Sequence, residues 1–139
     1  MFDQCEMIAF TQTMQPEKAK HFFGKVIGLK FEHETPAAIV YSAGKTMVRV
    51  QKVREFTPLP FTSLGWKVPD VTLAVRYLTS RGVRFERYQG MPQDDLGIWT
   101  SPDGGNICWF KDPDGNTISL SQFSTKSDVV PKKPKGRLF

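Results

Sequence analysis

An α+β fold, with two tandem βαβββ modules in a single domain, is what the sequence predicts. Three observations point there. A helix-spaced apolar face lies among strand-like segments near the N-terminus, and the same order of elements begins again after a proline-rich connector. Gly28-Leu29-Lys30-Phe31-Glu32 is also echoed by Gly82-Val83-Arg84-Phe85-Glu86, 54 residues on. The 139 residues, 40% hydrophobic and 24% charged, are enough for one core. Each half alone is too short to bury a stable one.

The first module spans residues 5–54. Ile8 to Met14 has strand composition, and Pro16 then opens a run in which Ala19, Phe22, Phe23, Val26 and Ile27 share one helical face, with Gly28 placed to stop it. Strands are expected at Leu29 to Glu34, at Ala38 to Ser42 and, past an Ala43-Gly44-Lys45 turn, at Thr46 to Val53. Thr57 to Pro60 connects this module to the second, residues 61–123. There Leu64 to Val68 reads as a strand. Asp70 suits the N-cap of a helix whose apolar face is Val71, Ala74, Val75 and Leu78, and Gly82 closes it. Further strands are expected at Val83 to Tyr88, Ile98 to Thr100, Asn106 to Lys111 and Thr117 to Phe123, the last two joined by the turn Asp112-Pro113-Asp114-Gly115.

The formal charge is +5, but Lys126, Lys132, Lys133, Lys135 and Arg137 against Asp128 alone supply four of those charges. The organisation read here is therefore a domain over residues 1–125 and a basic tail over 126–139. The body has no excess of positive charge with which to track a nucleic-acid backbone, so no nucleic-acid partner is expected. No run approaches the length needed to cross a bilayer, and no signal-peptide pattern opens the chain, so the expected address is cytoplasmic, without a membrane partner. Cys5 and Cys108 lie far apart without a CxxC motif, which favours two reduced structural thiols.

Two motifs add a resemblance. Phe22-Phe23-Gly24-Lys25-Val26-Ile27-Gly28-Leu29 is similar to an FY…LGL signature, and Phe110-Lys111-Asp112-Pro113-Asp114-Gly115-Asn116 to an FxDPDGN hairpin. In this order, within a duplicated frame, they resemble the vicinal oxygen chelate superfamily of glyoxalases, bleomycin-resistance proteins and extradiol dioxygenases. The resemblance implies U-shaped mixed and antiparallel sheets with helices on the outer face. It also implies a concave site between the halves, where enzymes of the family commonly hold a divalent metal. Carried onto this chain, the metal-ligand positions fall at Ser119, Ser63, Ala9 (through the 54-residue offset) and Arg49 or, with a slip, Val48. Such a set is poor for zinc, iron or nickel, and Gln51 is the nearest plausible ligand. No metal or other cofactor is therefore expected. His21, on the first helix, and His33, late in the second strand, read as structural or exposed.

Strand alternation places Ala9, Thr11, Thr13, Gly65, Lys67, Thr117 and Ser121 on the concave face with Arg49, Gln51, Ser63 and Ser119, and puts Phe10 and Trp66 under the helices. Trp99, Trp109 and Phe61 are candidate walls. The candidate ligand-binding residues are Thr11, Arg49, Gln51, Ser63, Trp99 and Ser119; no catalytic residue stands out. These serines and threonines can also simply face water, Arg49 can pair with an acid, and the aromatics can be core. The expected function is glyoxalase- or bleomycin-resistance-like, metal-independent binding of a small organic ligand with an anionic or strongly accepting group. The alternatives are a metal-dependent lyase or dioxygenase with an altered ligand set, or an interaction module using the tail. A homodimer is expected, and the connector leaves swapped and unswapped forms open.

Overall fold

The structure, a computed structural model, describes residues 1–123. The basic tail read at 126–139 lies outside the described residues. After a short 3-10 turn at Phe2–Gln4 the chain forms β1 (Ile8–Thr13), α1 (Pro16–His21), β2 (Lys30–Glu34), β3 (Ala38–Ala43), β4 (Thr46–Lys52), β5 (Thr62–Lys67), α2 (Val71–Ser80), β6 (Trp99–Thr100), β7 (Asn106–Lys111) and β8 (Thr117–Gln122). Two four-stranded mixed sheets result, ordered β1-β4-β3-β2 and β5-β8-β7-β6. In each, the module's first strand runs parallel to its last, and the other pairings are antiparallel. This is the predicted tandem βαβββ arrangement.

The helices obey their local signals. Proline stands in the first turn of α1, which runs on into a π-helical stretch over Phe22–Val26. There Ile27 N–H donates to the Phe22 carbonyl at 2.8 Å, and Gly28 ends the element at φ +85°. Asp70 caps α2, its carboxylate accepting from Leu73 N–H at 3.0 Å. The buried faces are Ala19, Phe22 and Phe23 in the first module and Val71, Val75 and Leu78 in the second.

One core serves both modules, lying on the helix side of the sheets. Phe22 and Phe23 join Ile39, Tyr41, Val48 and Val50 from sheet one with Cys108, Phe110, Ile118 and Leu120 from sheet two. Phe110, fully buried, packs against Phe22 of the other module at 6.2 Å and against Phe85 at 5.4 Å. Truncating such a ring to alanine costs about 3–5 kcal/mol, and the Phe110–Phe22 contact lies across the two modules. The modules are also clasped where β1 ends. Asp114, in the β7–β8 turn, accepts from Thr13 Oγ1 and from Met14 N–H, and Asn116 Nδ2 donates to the Gln12 carbonyl. Asp112 holds that turn by accepting from the Asp114 and Asn116 amides and from Asn116 Nδ2.

One expected strand is not formed. The backbone of residues 83–88 pairs with β7 through a single bridge between Phe85 and Phe110 and a bond from Glu86 N–H to the Trp109 carbonyl. The Gln93 side chain replaces further pairing: its amide nitrogen donates to the Glu86 and Gly97 carbonyls, and its oxygen accepts from Tyr88 N–H. A loop folded back on a glutamine amide thus stands where a continuous strand was predicted.

Candidate functional site

Each sheet has one face under the helices and one turned away from them, here called the open face. Partners in register share a face, so core residues fix the faces of their neighbours. On β4, Val48 and Val50 belong to the core, which leaves Met47, Arg49 and Gln51 on the open face, as alternation predicted.

The prediction for β1 is corrected. Ala9 and Thr11 lie beside Val48 and Val50, whereas Ile8, Phe10 and Gln12 lie beside Met47, Arg49 and Gln51. Ala9, Thr11 and Thr13 therefore face the helix side. Thr11 is 1% exposed and Phe10 49%, the reverse of the expected arrangement. The physical reason is a bulge in β5 between Thr62 and Leu64. Leu64 lies beside Ile118 as Ala9 lies beside Val48, an offset of 55 rather than 54. A one-residue slip in a strand exchanges its two faces. Ser63 sits at the bulge, where its hydroxyl donates to the Thr117 carbonyl at 3.2 Å.

On this half of the open face Arg49 stands between Phe10 and Val40, and Gln12 Nε2 donates to Gln51 Oε1 at 3.3 Å. Arg49 is half-buried and has no carboxylate or hydrogen-bond partner among the described residues, so its five donors face the open side uncommitted. Acids do pair elsewhere: Glu34 bonds Lys52 at 2.6 Å and Lys20 at 3.0 Å, and those ammonium groups hold its carboxyl below the usual range.

The second half carries hydroxyls and aromatic rings. Ser119 lies beside Gly65 and Trp109, in the place Arg49 occupies in the first half. A Cβ at Gly65 would stand 2.9 Å from Ser119 Oγ, so this glycine leaves room for the hydroxyl. Trp99, paired with Ile107, packs its ring 6.3 Å from Trp109, and Tyr88 meets Trp109 edge-on at 5.6 Å. Burial pushes the Tyr88 phenol above its ordinary pKa. Trp66 is on the helix side, as expected, and Phe61 is exposed.

The structure therefore brings Arg49 and Gln51 together, and brings Ser119 near Trp99 through Trp109; Thr11 is removed from the set. Phe10, Gln12 and Tyr88 join the open face unforeseen. The apolar pattern Ile8, Phe10 was the available signal for β1, but large apolar residues ordinarily argue for the buried side.

Four positions answer to the metal-ligand sites that the motif resemblance implies: Ile8 in place of Ala9, with Arg49, Ser63 and Ser119. They hold a hydrocarbon, a permanent cation and two neutral hydroxyls, and they do not fit a divalent transition ion. Among the described residues, no three His, Cys, Asp or Glu side chains gather into a cluster that could hold one.

Comparison with solved structures places this architecture. Lactoylglutathione lyase from Agrobacterium tumefaciens superposes with a TM-score of 0.67 at 13% identity, over 86% of this chain and 93% of that one. A glyoxalase/bleomycin resistance protein/dioxygenase superfamily member from Sphaerobacter thermophilus gives 0.66 at 21%, over 84% and 95%. The chain has the vicinal oxygen chelate fold. Within the same fold, the antibiotic-binding protein TnmS3 from Streptomyces sp. CB03234 gives 0.66 at 22% identity, over 89% of this chain and 99% of that one. No family model and no curated protein matches the sequence. At these identities the likeness is one of architecture, and function must be argued from the residues on this vicinal oxygen chelate scaffold. No helix of the described residues is long and apolar enough to cross a membrane.

Proposed function

We propose that this protein binds a small organic anion on the open faces of its sheets without a metal, in the manner of a glyoxalase/bleomycin-resistance-like binding protein. The observation carrying the reading is the side-chain set at the four ligand positions, Ile8, Arg49, Ser63 and Ser119, with Arg49 lacking an acidic partner among the described residues. A guanidinium in a half-buried setting forms a charge-assisted fork with a carboxylate, phosphate or sulfonate, and Gln51 adds a neutral donor beside it. Trp99, Trp109 and Tyr88 offer ring faces and edges to an unsaturated body, and the Ser119 hydroxyl fixes orientation.

A homodimer is part of this reading. Ile8, Phe10 and Met47 are 44%, 49% and 38% exposed, and they lie together on the open face around Arg49. Covering them with a second copy would remove apolar area from water and lower the dielectric around the guanidinium, strengthening its grip on an anion. A cytoplasmic address suits two cysteines that are both free thiols.

Calorimetric titration with a panel of aromatic carboxylates and sulfonates tests the proposal, with Arg49→Ala as the comparison. Binding by the native chain that weakens about tenfold or more in the variant supports it. Unchanged affinity removes Arg49 from the site, and binding that requires an added divalent ion returns the chain to the metal-dependent lyase or dioxygenase alternative.

A further inference from the structure

The seam between the modules is closed at one end and open at the other. At the closed end the Asp112–Asn116 turn bonds β1 through Thr13, Met14 and the Gln12 carbonyl. At the other end, by the β3–β4 turn at Gly44, a cavity of about 610 Å³ lies between the entry of β4 and the exit of β5. Val48, Leu64, Leu29 and Trp66 supply apolar walls, and Lys30 and Lys67 also line it. A second cavity of about 200 Å³ adjoins the first, sharing Leu29 and Trp66. It is walled by Ile27, Ala74, Leu78, Phe110 and Leu120, so it is almost wholly apolar and reaches under α2. Neither is lined by Thr11, Arg49, Gln51, Ser63, Trp99 or Ser119.

We infer that these adjoining cavities form a second small-molecule site, whose lining includes neither Arg49 nor Gln51, for an amphiphilic monoanion whose apolar body lies against Trp66 and Leu29 and whose acid group meets Lys30 and Lys67. Both open to solvent, so a ligand can enter, and the apolar lining of the smaller one favours hydrocarbon over water. Charge selects the occupant. Lys67 has no acidic partner among the described residues, and Lys30 has only a 3.9 Å approach to the exposed Glu32, so the mouth carries uncompensated positive charge. The indole N–H of Trp66 is likewise without a hydrogen-bond acceptor among the described residues, leaving a donor for the ligand. The same charge opposes the chain's own 126–139 segment, which is itself basic.

The test is a fluorescence titration with 8-anilinonaphthalene-1-sulfonate, a compact apolar monoanion, on the full chain, with circular dichroism to confirm that each variant is folded. Saturable binding near one probe per chain is expected. Ala74→Phe, which fills the apolar chamber from α2, should weaken it about tenfold, Lys67→Glu should weaken it about threefold to tenfold, and added salt should weaken it further. Arg49→Ala should leave it unchanged, so this site and the open-face reading fail separately. Should Ala74→Phe not fold, Lys67→Glu and the salt dependence still decide. Lack of saturation, indifference to Lys67→Glu, or loss of the probe in Arg49→Ala would overturn the inference. Displacement of the probe by a peptide of residues 126–139 would overturn it too, assigning the cavity to the chain itself.

Discussion

Removing the carboxylate of Asp114 should loosen the clasp that fixes β1 against the second module. In the native protein Asp114 accepts from Thr13 Oγ1 at 2.5 Å and from Met14 N–H at 2.8 Å, and Thr13 is 1% exposed. Hydrogen bonds to a charged acceptor contribute about 1.5–3 kcal/mol each. Asp114 itself is only half-buried, so water weakens both and a joint loss of about 2–3 kcal/mol is the reasonable expectation for Asp114→Ala. For a domain of this size that lowers the midpoint of thermal unfolding by roughly 8–12 °C. Asp114→Asn keeps one acceptor oxygen and should lose about half as much. Urea unfolding followed by circular dichroism measures the difference, and a double-mutant cycle with Thr13→Val should show coupling of about 1 kcal/mol or more. An Asp114→Ala protein within about 0.5 kcal/mol of the native one would refute the clasp, as would strict additivity with Thr13→Val.

Asp112 and Cys108 give two further expectations. Burial raises the Asp112 carboxyl above its ordinary value of 3.8, against the opposing bonds from Asn116 and Asp114, so the folded state holds that proton more tightly than the unfolded one. Its contribution is then full below 3.8 and is lost as pH rises through the folded value. Compared with Asp112→Asn by urea unfolding, the native chain should fare better at pH 4 than at pH 7; the opposite trend would contradict the assigned cause. The Cys108 thiol is pushed up to about 12, mainly by burial, leaving roughly one thiolate in ten thousand at pH 8. Ellman's reagent should therefore titrate one thiol, the exposed Cys5, in the native protein and both in guanidinium; two fast equivalents without denaturant would contradict the packing.

Much of the fold was legible because local signals agreed with each other. Pro16, Asp70, Gly28 and Gly82 bound the helical elements where capping chemistry demands, and the Asp112-Pro113-Asp114-Gly115 turn sits where its residue types require. On the second sheet, alternation put Gly65 and Ser119 on one face and Trp66 on the other, as found. The first strand was misread because nothing in Thr62-Ser63-Leu64 announces a bulge; the extra residue is absorbed by strand pairing, which is a tertiary matter. Composition misleads there too, since Ile8 and Phe10 look like core and Thr11 and Thr13 like surface, whereas the threonines are the buried ones. Residues 83–88 failed for a related reason, their pairing having been taken over by the Gln93 amide from outside the segment.

Metal-independent recognition on the open face depends most on Ile8, Arg49, Ser63 and Ser119 being unable to hold a transition ion. Elemental analysis by inductively coupled plasma mass spectrometry, on protein grown with added zinc, iron, nickel and manganese and purified without chelators, addresses it directly. Well under one ion per chain, roughly a tenth or less, is predicted, with no change in Arg49→Ala. One tightly held divalent ion per chain, released when Gln51 is changed to Ala, would contradict it.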